Sequence, residues 1–266
     1  MTCVFSWKAP QTTIAWPFVS MWGMAVHWAK RHFRNVVFYG DETATGLLVD
    51  GLGLPFDANF ALPFIPDSLD HVRDLVKLHA LREAVLRFGP AWHHDHDAHF
   101  HRRPSDALLA APFVCEFRYA EVHNPMLFQQ VRDFNATLPV KFPNPHTGLA
   151  SGIMGGTDTS GIVSVCEESV RIATCIENRP MFAARELGAG YWKSVLIGEM
   201  TYGTHWPNAT GILADGGGTE DDRRKSGWWH IAGGKENYGL LAIADNLFRD
   251  DFPHERSELF RRWRAL

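Results

Sequence analysis

The chain has 266 residues, of which 45% are hydrophobic and 21% charged, with a formal net charge of −4. That balance suits one soluble globular unit near the upper size of a single continuous core, and the slight acidity gives no electrostatic footprint for a nucleic-acid partner. No apolar run reaches the ~20 residues that span a bilayer and no signal-peptide pattern opens the chain, so a cytoplasmic protein without a transmembrane segment is expected. The four cysteines, Cys3, Cys115, Cys166 and Cys175, show no paired spacing and are expected to be reduced structural thiols.

In chain order, residues 3–7 (CVFSW) form a short apolar run that suits a first strand. Residues 18–33 carry Met21, Met24, Ala25, Trp28 and Ala29 at helical spacing and end in the basic turn Lys30-Arg31-His32. Val36 to Tyr39 is β-branched and aromatic, and Gly40-Asp41 halts it. Residues 47–52 suit a short helix. Residues 74–88 predict an amphipathic helix, with Leu75, Leu78, Leu81, Val85 and Leu86 on one side and Gly89-Pro90 as its stop. Strands are expected at 91–94, 111–117, 148–154 and 211–213. Helices are expected at 124–134, from Asp158 as a cap through 176, at 181–205, and from Tyr238 with a break at Pro253. The Gly- and charge-rich segment 215–227 reads as a mobile loop. Strands alternating with helices predict an α/β fold with a mainly parallel central sheet flanked by helices.

Chemistry concentrates in residues 91–101, AWHHDHDAHFH, where His93, His94, His96, His99 and His101 accompany Asp95 and Asp97. If the strand runs on through the acids, residues two apart share a face, so Asp95 and Asp97 point one way and His96 the other. In open α/β sheets, ligands bind beyond the C-terminal strand ends. Two carboxylates there suit a hard divalent cation that retains waters and a phosphate ligand. The histidines offer a competing centre. His94, His96 and His99 nearly match the HxHxDH pattern of metallo-β-lactamase-type hydrolases, with Ala98 in place of the aspartate, and His93-x-Asp95 could begin the ligand set of a non-haem iron oxygenase. A polar stretch with no functional metal is the third reading.

Three features together resemble nucleotide-sugar-dependent glycosyltransferases of the A-type (GT-A) fold. Asp95-His96-Asp97 is a DxD motif after a predicted strand. Gly152-Ile153-Met154-Gly155-Gly156 resembles the glycine-rich strand and turn that lines the sugar pocket. His230-Ile231-Ala232-Gly233-Gly234-Lys235 matches the late H-x-x-G-x-K motif of the glycogenin-like branch. The resemblance spans roughly residues 3 to 250. It departs after Lys235, where Glu236-Asn237 replaces the Pro-Trp of that branch.

The resemblance implies a single GT-A-like domain over residues 1–266, with a nucleotide-sugar-binding part to about 157 and an acceptor-side part from 158. It implies Mn²⁺ or Mg²⁺ held by Asp95, Asp97 and His230, and a nucleotide-sugar co-substrate, a UDP-sugar by analogy. Gly233 and Lys235 would approach the diphosphate, and Asp95 would also reach a ribose hydroxyl. Lys77 would add a basic donor contact, Asp41 would read base or ribose, and Phe5 and Trp7 would lie where the base rests. Gly155 and Gly156 would line the sugar pocket, Asp158 would bind sugar hydroxyls or merely cap its helix, and Glu199 would be the base near the acceptor. The acceptor is unknown: a glycan, a lipid-linked saccharide, a peptide or a small molecule. The competing expectations are a histidine-centred metal hydrolase or oxygenase built on His93–His101, and a non-catalytic nucleotide-sugar-binding protein.

Overall fold

Apolar side chains on both faces of the central strands explain why helices must cover the sheet on both sides. The computed structural model describes residues 1–9, 13–63, 73–137, 146–177, 200–217, 219–230 and 238–266. Strand β1 (Thr2–Trp7) sends Val4 into one core and Cys3 and Phe5 into the other. Strand β2 (Asn35–Gly40) divides in the same way, with Val37 and Tyr39 on one side and Val36 and Phe38 on the other. One core lies under α3 (Arg73–Phe88), α5 (Pro125–Thr137) and α6 (Thr159–Glu177). The other lies under α1 (Trp16–His32) and two C-terminal helices, α9 (Tyr238–Asp251) and α10 (Pro253–Trp263). Pro253 at the first turn of α10 makes the expected break, and the buried Cys3, Cys115 and Cys166 are free thiols.

The fold is α/β with a mostly parallel seven-stranded sheet. The remaining strands are β3 (Ala58–Ala61), β4 (Ala91–His94), β6 (Val114–Cys115), β9 (Ile153–Gly156) and β10 (Thr210–Gly211), and the order is β10-β6-β9-β4-β1-β2-β3. Pairings β1 with β2, β1 with β4, β2 with β3 and β6 with β10 are parallel, whereas β9 runs antiparallel to both β4 and β6. Two antiparallel ribbons stand outside the sheet. One pairs β5 (Ala98–Phe100) with β11 (Trp228–His230), and the other pairs β7 (Arg118–Ala120) with β8 (Thr147–Leu149). Strand β10, at one edge of the main sheet, and ribbon strand β11 both come from beyond residue 157, and each pairs with a strand from before it.

Several elements differ from expectation for identifiable reasons. Of residues 47–52, all but Leu52 lie in a wide helical turn, Gly46–Gly51, that follows the short helix α2 (Glu42–Thr45). The expected strand at 148–154 divides at Ser151-Gly152 into β8 and β9, which belong to different sheets. The segment expected as a mobile loop contains helix α8 (Glu220–Ser226). Thr219 and Asp222 form a reciprocal capping box, acids fill the first turn, bases fill the last, and Gly227 closes it in the left-handed region. Of the helix expected at 181–205, residues 181–199 lie outside the described residues, and α7 (Thr201–His205) is helical. Among the described residues, no helix is long and apolar enough to cross a membrane.

Burial drives the imidazoles of His93, His94 and His99 down to about 3 from an ordinary value near 6.5, so the folded protein keeps them neutral. The unfolded chain takes up these protons as the pH drops below ~6.5 and the folded chain does not, so stability is unaffected above that value and falls from there toward pH 3. His94 packs edge-on among Phe5, Phe33 and Trp228. His94→Phe is therefore expected to flatten the fall of Tm between pH 6.5 and 4, by up to ~1.4 kcal/mol of stability per pH unit. Thermal melts across that range check it.

Candidate metal centre

Strand β4 ends at His94, and the next three residues make a tight turn rather than continuing the strand. The Asp95 N–H donates to the Gly152 carbonyl (3.0 Å), and the Ala98 N–H donates back to the Asp95 carbonyl (3.1 Å). The two acids therefore converge through a turn, not through the strand alternation expected of them, and His96 stacks on the Trp22 ring with centroids 4.9 Å apart. Strand β5 leaves the turn and pairs antiparallel with β11, in a register that sets His230 opposite Ala98. This pairing carries His230 from far downstream to Asp97, with Nε2 3.6 Å from Oδ1.

One ligand atom each from Asp95, Asp97 and His230 lie within 4.8 Å of one another, and among the described residues this is the one group of three or more histidine, cysteine or acidic side chains so arranged. Asp97 is 2% exposed. The Lys77 ammonium, on α3, lies 2.8 Å from Asp95 Oδ1 and 2.9 Å from its Oδ2. Burial pushes the Asp95 carboxyl up most strongly, but the Lys77 charge, together with that of His230 and smaller contributions, holds the group below its usual range. Burial likewise opposes a charged His230, yet hydrogen bonds and charge from Asp97 and Glu116 lift it to about 10. Two carboxylates and one imidazole on a partly buried rim match the donor set of a divalent cation that accepts oxygen and nitrogen. They suit Mn²⁺ well and Mg²⁺ acceptably.

Glu116, directly after β6, belongs to the same group of side chains and was not anticipated. Its Oε2 lies 2.8 Å from His230 Nδ1, and its Oε1 accepts a hydrogen bond from Trp228 Nε1 (3.1 Å). A lone acid inside the apolar run APFVCEF was the available signal, because a buried carboxylate demands partners. Gly152 packs against this pair: a Cβ there would lie 2.6 Å from Glu116 Oε2 and 2.7 Å from His230 Nδ1.

The other expected site residues lie in varied places. Trp7 ends β1 at the same edge of the sheet, half-buried, with its ring 5.9 Å from that of Trp22. Phe5 is fully buried between Trp22, Phe56 and His94. Asp41 follows β2 at that edge and caps α2, accepting from the Ala44 N–H at 2.7 Å. Gly155, Gly156 and Asp158 are not brought to the cluster. Because β9 is antiparallel, Gly155 and Gly156 pair with Trp92 and Ala91, at the end of β4 remote from Asp95. A Cβ on Gly155 would meet the Ala91 carbonyl at 2.2 Å, and its φ of 134° is one that glycine readily adopts. Asp158 caps the start of α6, accepting from the Gly161 N–H, and also accepts from Trp206 Nε1. Glu199, Gly233 and Lys235 lie outside the described residues.

The histidines disperse. His93 Nε2 lies 2.7 Å from Ser6 Oγ on one face of the sheet, whereas His94 points into the aromatic core on the other. His99 sits between Trp28 and Trp229. No family profile matches the sequence, and no curated protein matches it.

Two outcomes follow for binding of Mn²⁺ alone, measured by titration calorimetry. Asp97→Ala and His230→Ala are expected to abolish it, whereas His96→Ala is expected to leave it near wild type. Asp158→Ala is expected to leave Mn²⁺ binding unchanged and to lower stability by about 1 kcal/mol, the usual cost of a lost N-cap, in denaturant melts.

Proposed function

We propose that the chain is a metal-dependent glycosyltransferase of the A-type fold that moves a sugar from a nucleotide donor, a UDP-sugar, to an acceptor. The observation that carries this reading is the convergence of Asp95, Asp97 and His230 at the C-terminal edge of a parallel sheet. The order β10-β6-β9-β4-β1-β2-β3, with β9 reversed, is compatible with that fold without being specific to it. The dispersal of His93, His94 and His99 favours this reading over a histidine-centred hydrolase or oxygenase.

In this proposal Asp95, Asp97 and His230 hold Mn²⁺ or Mg²⁺, whose charge offsets that of the diphosphate as the bond to the sugar breaks. Lys77, paired with Asp95, exchanges part of that contact for a phosphate oxygen and adds a second positive charge to the leaving group. Trp7 and Asp41, at the ends of neighbouring parallel strands, border the nucleoside. By the family resemblance, Gly233 and Lys235 are assigned to the diphosphate and Glu199 to the acceptor. Asp158, held by its own helix and by Trp206, acts as a cap.

The test is thermal stability with UDP, with Mn²⁺, and with both. A ligand at 100 times its Kd adds about 2.7 kcal/mol. A shift that needs UDP and Mn²⁺ together supports the transferase, and stabilisation by Zn²⁺ alone without any nucleotide effect contradicts it. Slow release of UDP from a UDP-sugar, lost in Asp97→Ala, is the expected activity. Cooperative binding with no release would identify a nucleotide-sugar-binding protein instead.

A further inference from the structure

Glu116 is 3% exposed, and a buried carboxylate is costly unless hydrogen bonds satisfy it. Both of its oxygens are engaged by one strand. Trp228 and His230 are two residues apart on β11, so their side chains share a face, and that face meets Glu116. The backbone of Glu116 is fixed as well: its N–H donates to the Ala150 carbonyl (3.1 Å), and its carbonyl accepts from Leu213 (2.8 Å). The carboxylate thus ties the β5–β11 ribbon to the main sheet at the point where His230 meets Asp97.

This contact selects which nitrogen of His230 faces the acids. A neutral imidazole has one donor nitrogen and one acceptor nitrogen, and a carboxylate accepts only. With Glu116 on Nδ1, that nitrogen keeps its proton, so the proton that the charged imidazole gives up to a cation is the one on Nε2, 3.6 Å from Asp97. Gly152 provides the room, since any Cβ there would press on both partners.

We propose that Glu116 is a positioning residue of the metal centre, holding His230 in the tautomer and orientation that leave Nε2 available to the cation. This role rests on the Asp95–Asp97–His230 centre but not on the identity of the reaction served.

The test uses Mn²⁺ alone, with binding followed by calorimetry and folding of every variant checked by circular dichroism and Tm. Glu116→Gln keeps the shape of the side chain. Trp228 Nε1 can only donate, so it takes the Gln oxygen and turns the amide NH₂ toward His230 Nδ1. That forces the imidazole proton onto Nε2. Mn²⁺ affinity is expected to fall 10–100-fold, the usual loss for an outer-shell partner. In Glu116→Gln/Trp228→Phe the amide is free to turn over and accept from Nδ1, so affinity is expected to recover. Trp228→Phe alone should bind Mn²⁺ nearly as wild type does. Wild-type affinity in Glu116→Gln overturns the proposal. So does an equal loss in the single Gln variant and the double variant, which marks a plain structural clamp. No Mn²⁺ binding by the wild type overturns both the centre and this role. Mn²⁺ binding without turnover of any nucleotide sugar removes the transferase reading and leaves the role of Glu116 intact.

Discussion

The antiparallel pairing of β5 with β11 is the contact on which the candidate site depends. Asp95 and Asp97 are local to one turn, but two acids alone are a common surface feature. His230 becomes their neighbour because the ladder fixes it opposite Ala98, and one residue of slip would send its side chain to the other face of the ribbon. The register is held from both sides. Trp228 and Phe100 pack at a tilt in the aromatic core with ring centroids 4.9 Å apart, and Glu116 grips the same strand from the main sheet.

That arrangement concentrates charge where water is scarce, and charges of opposite sign balance one another within it. Lys77 neutralises Asp95, and a protonated His230 lies between Asp97 and Glu116. Breaking one partner out of such a buried set leaves an uncompensated charge, which costs far more than a surface pair is worth. The surrounding histidines serve the opposite purpose. His93, His94 and His99 are kept neutral by burial; His94 and His99 pack as aromatic side chains against tryptophan and phenylalanine, and His93 meets the Ser6 hydroxyl. In this stretch, neighbouring polar residues act in two ways, with the acids joined to Lys77 and His230 and three of the histidines neutral in the interior.

Much of the α/β pattern was legible because its signals are local. The β-branched and aromatic run 36–39, the heptad-like leucines of α3 and the proline at the start of α10 each specify an element without reference to the rest of the chain. The site was partly legible. Asp95, Asp97 and His230 carry motif spacing, and the structure brings them together. Glu116 carries none, and its place depends on two strands that are separate in sequence. The family resemblance implies a sugar-pocket role for Gly155 and Gly156 and leaves Asp158 between such a role and a helix cap. The reversed direction of β9 sends them to the other end of the sheet, and strand direction has no local signature. Helix α8 has its own local signals: Thr219 followed by three acids, three bases, Ser226 and Gly227 is a complete set of start and stop signals.

The account's central claim is that Asp95, Asp97 and His230 together hold a divalent cation. A crystal soaked in Mn²⁺ and examined by anomalous scattering tests it most directly. The account predicts a single strong interior peak bounded by Asp95, Asp97 and His230 Nε2, with Lys77 displaced from its symmetric contact with Asp95. A peak among His94, His96 and His99, or none near Asp97 at saturating Mn²⁺, would contradict it.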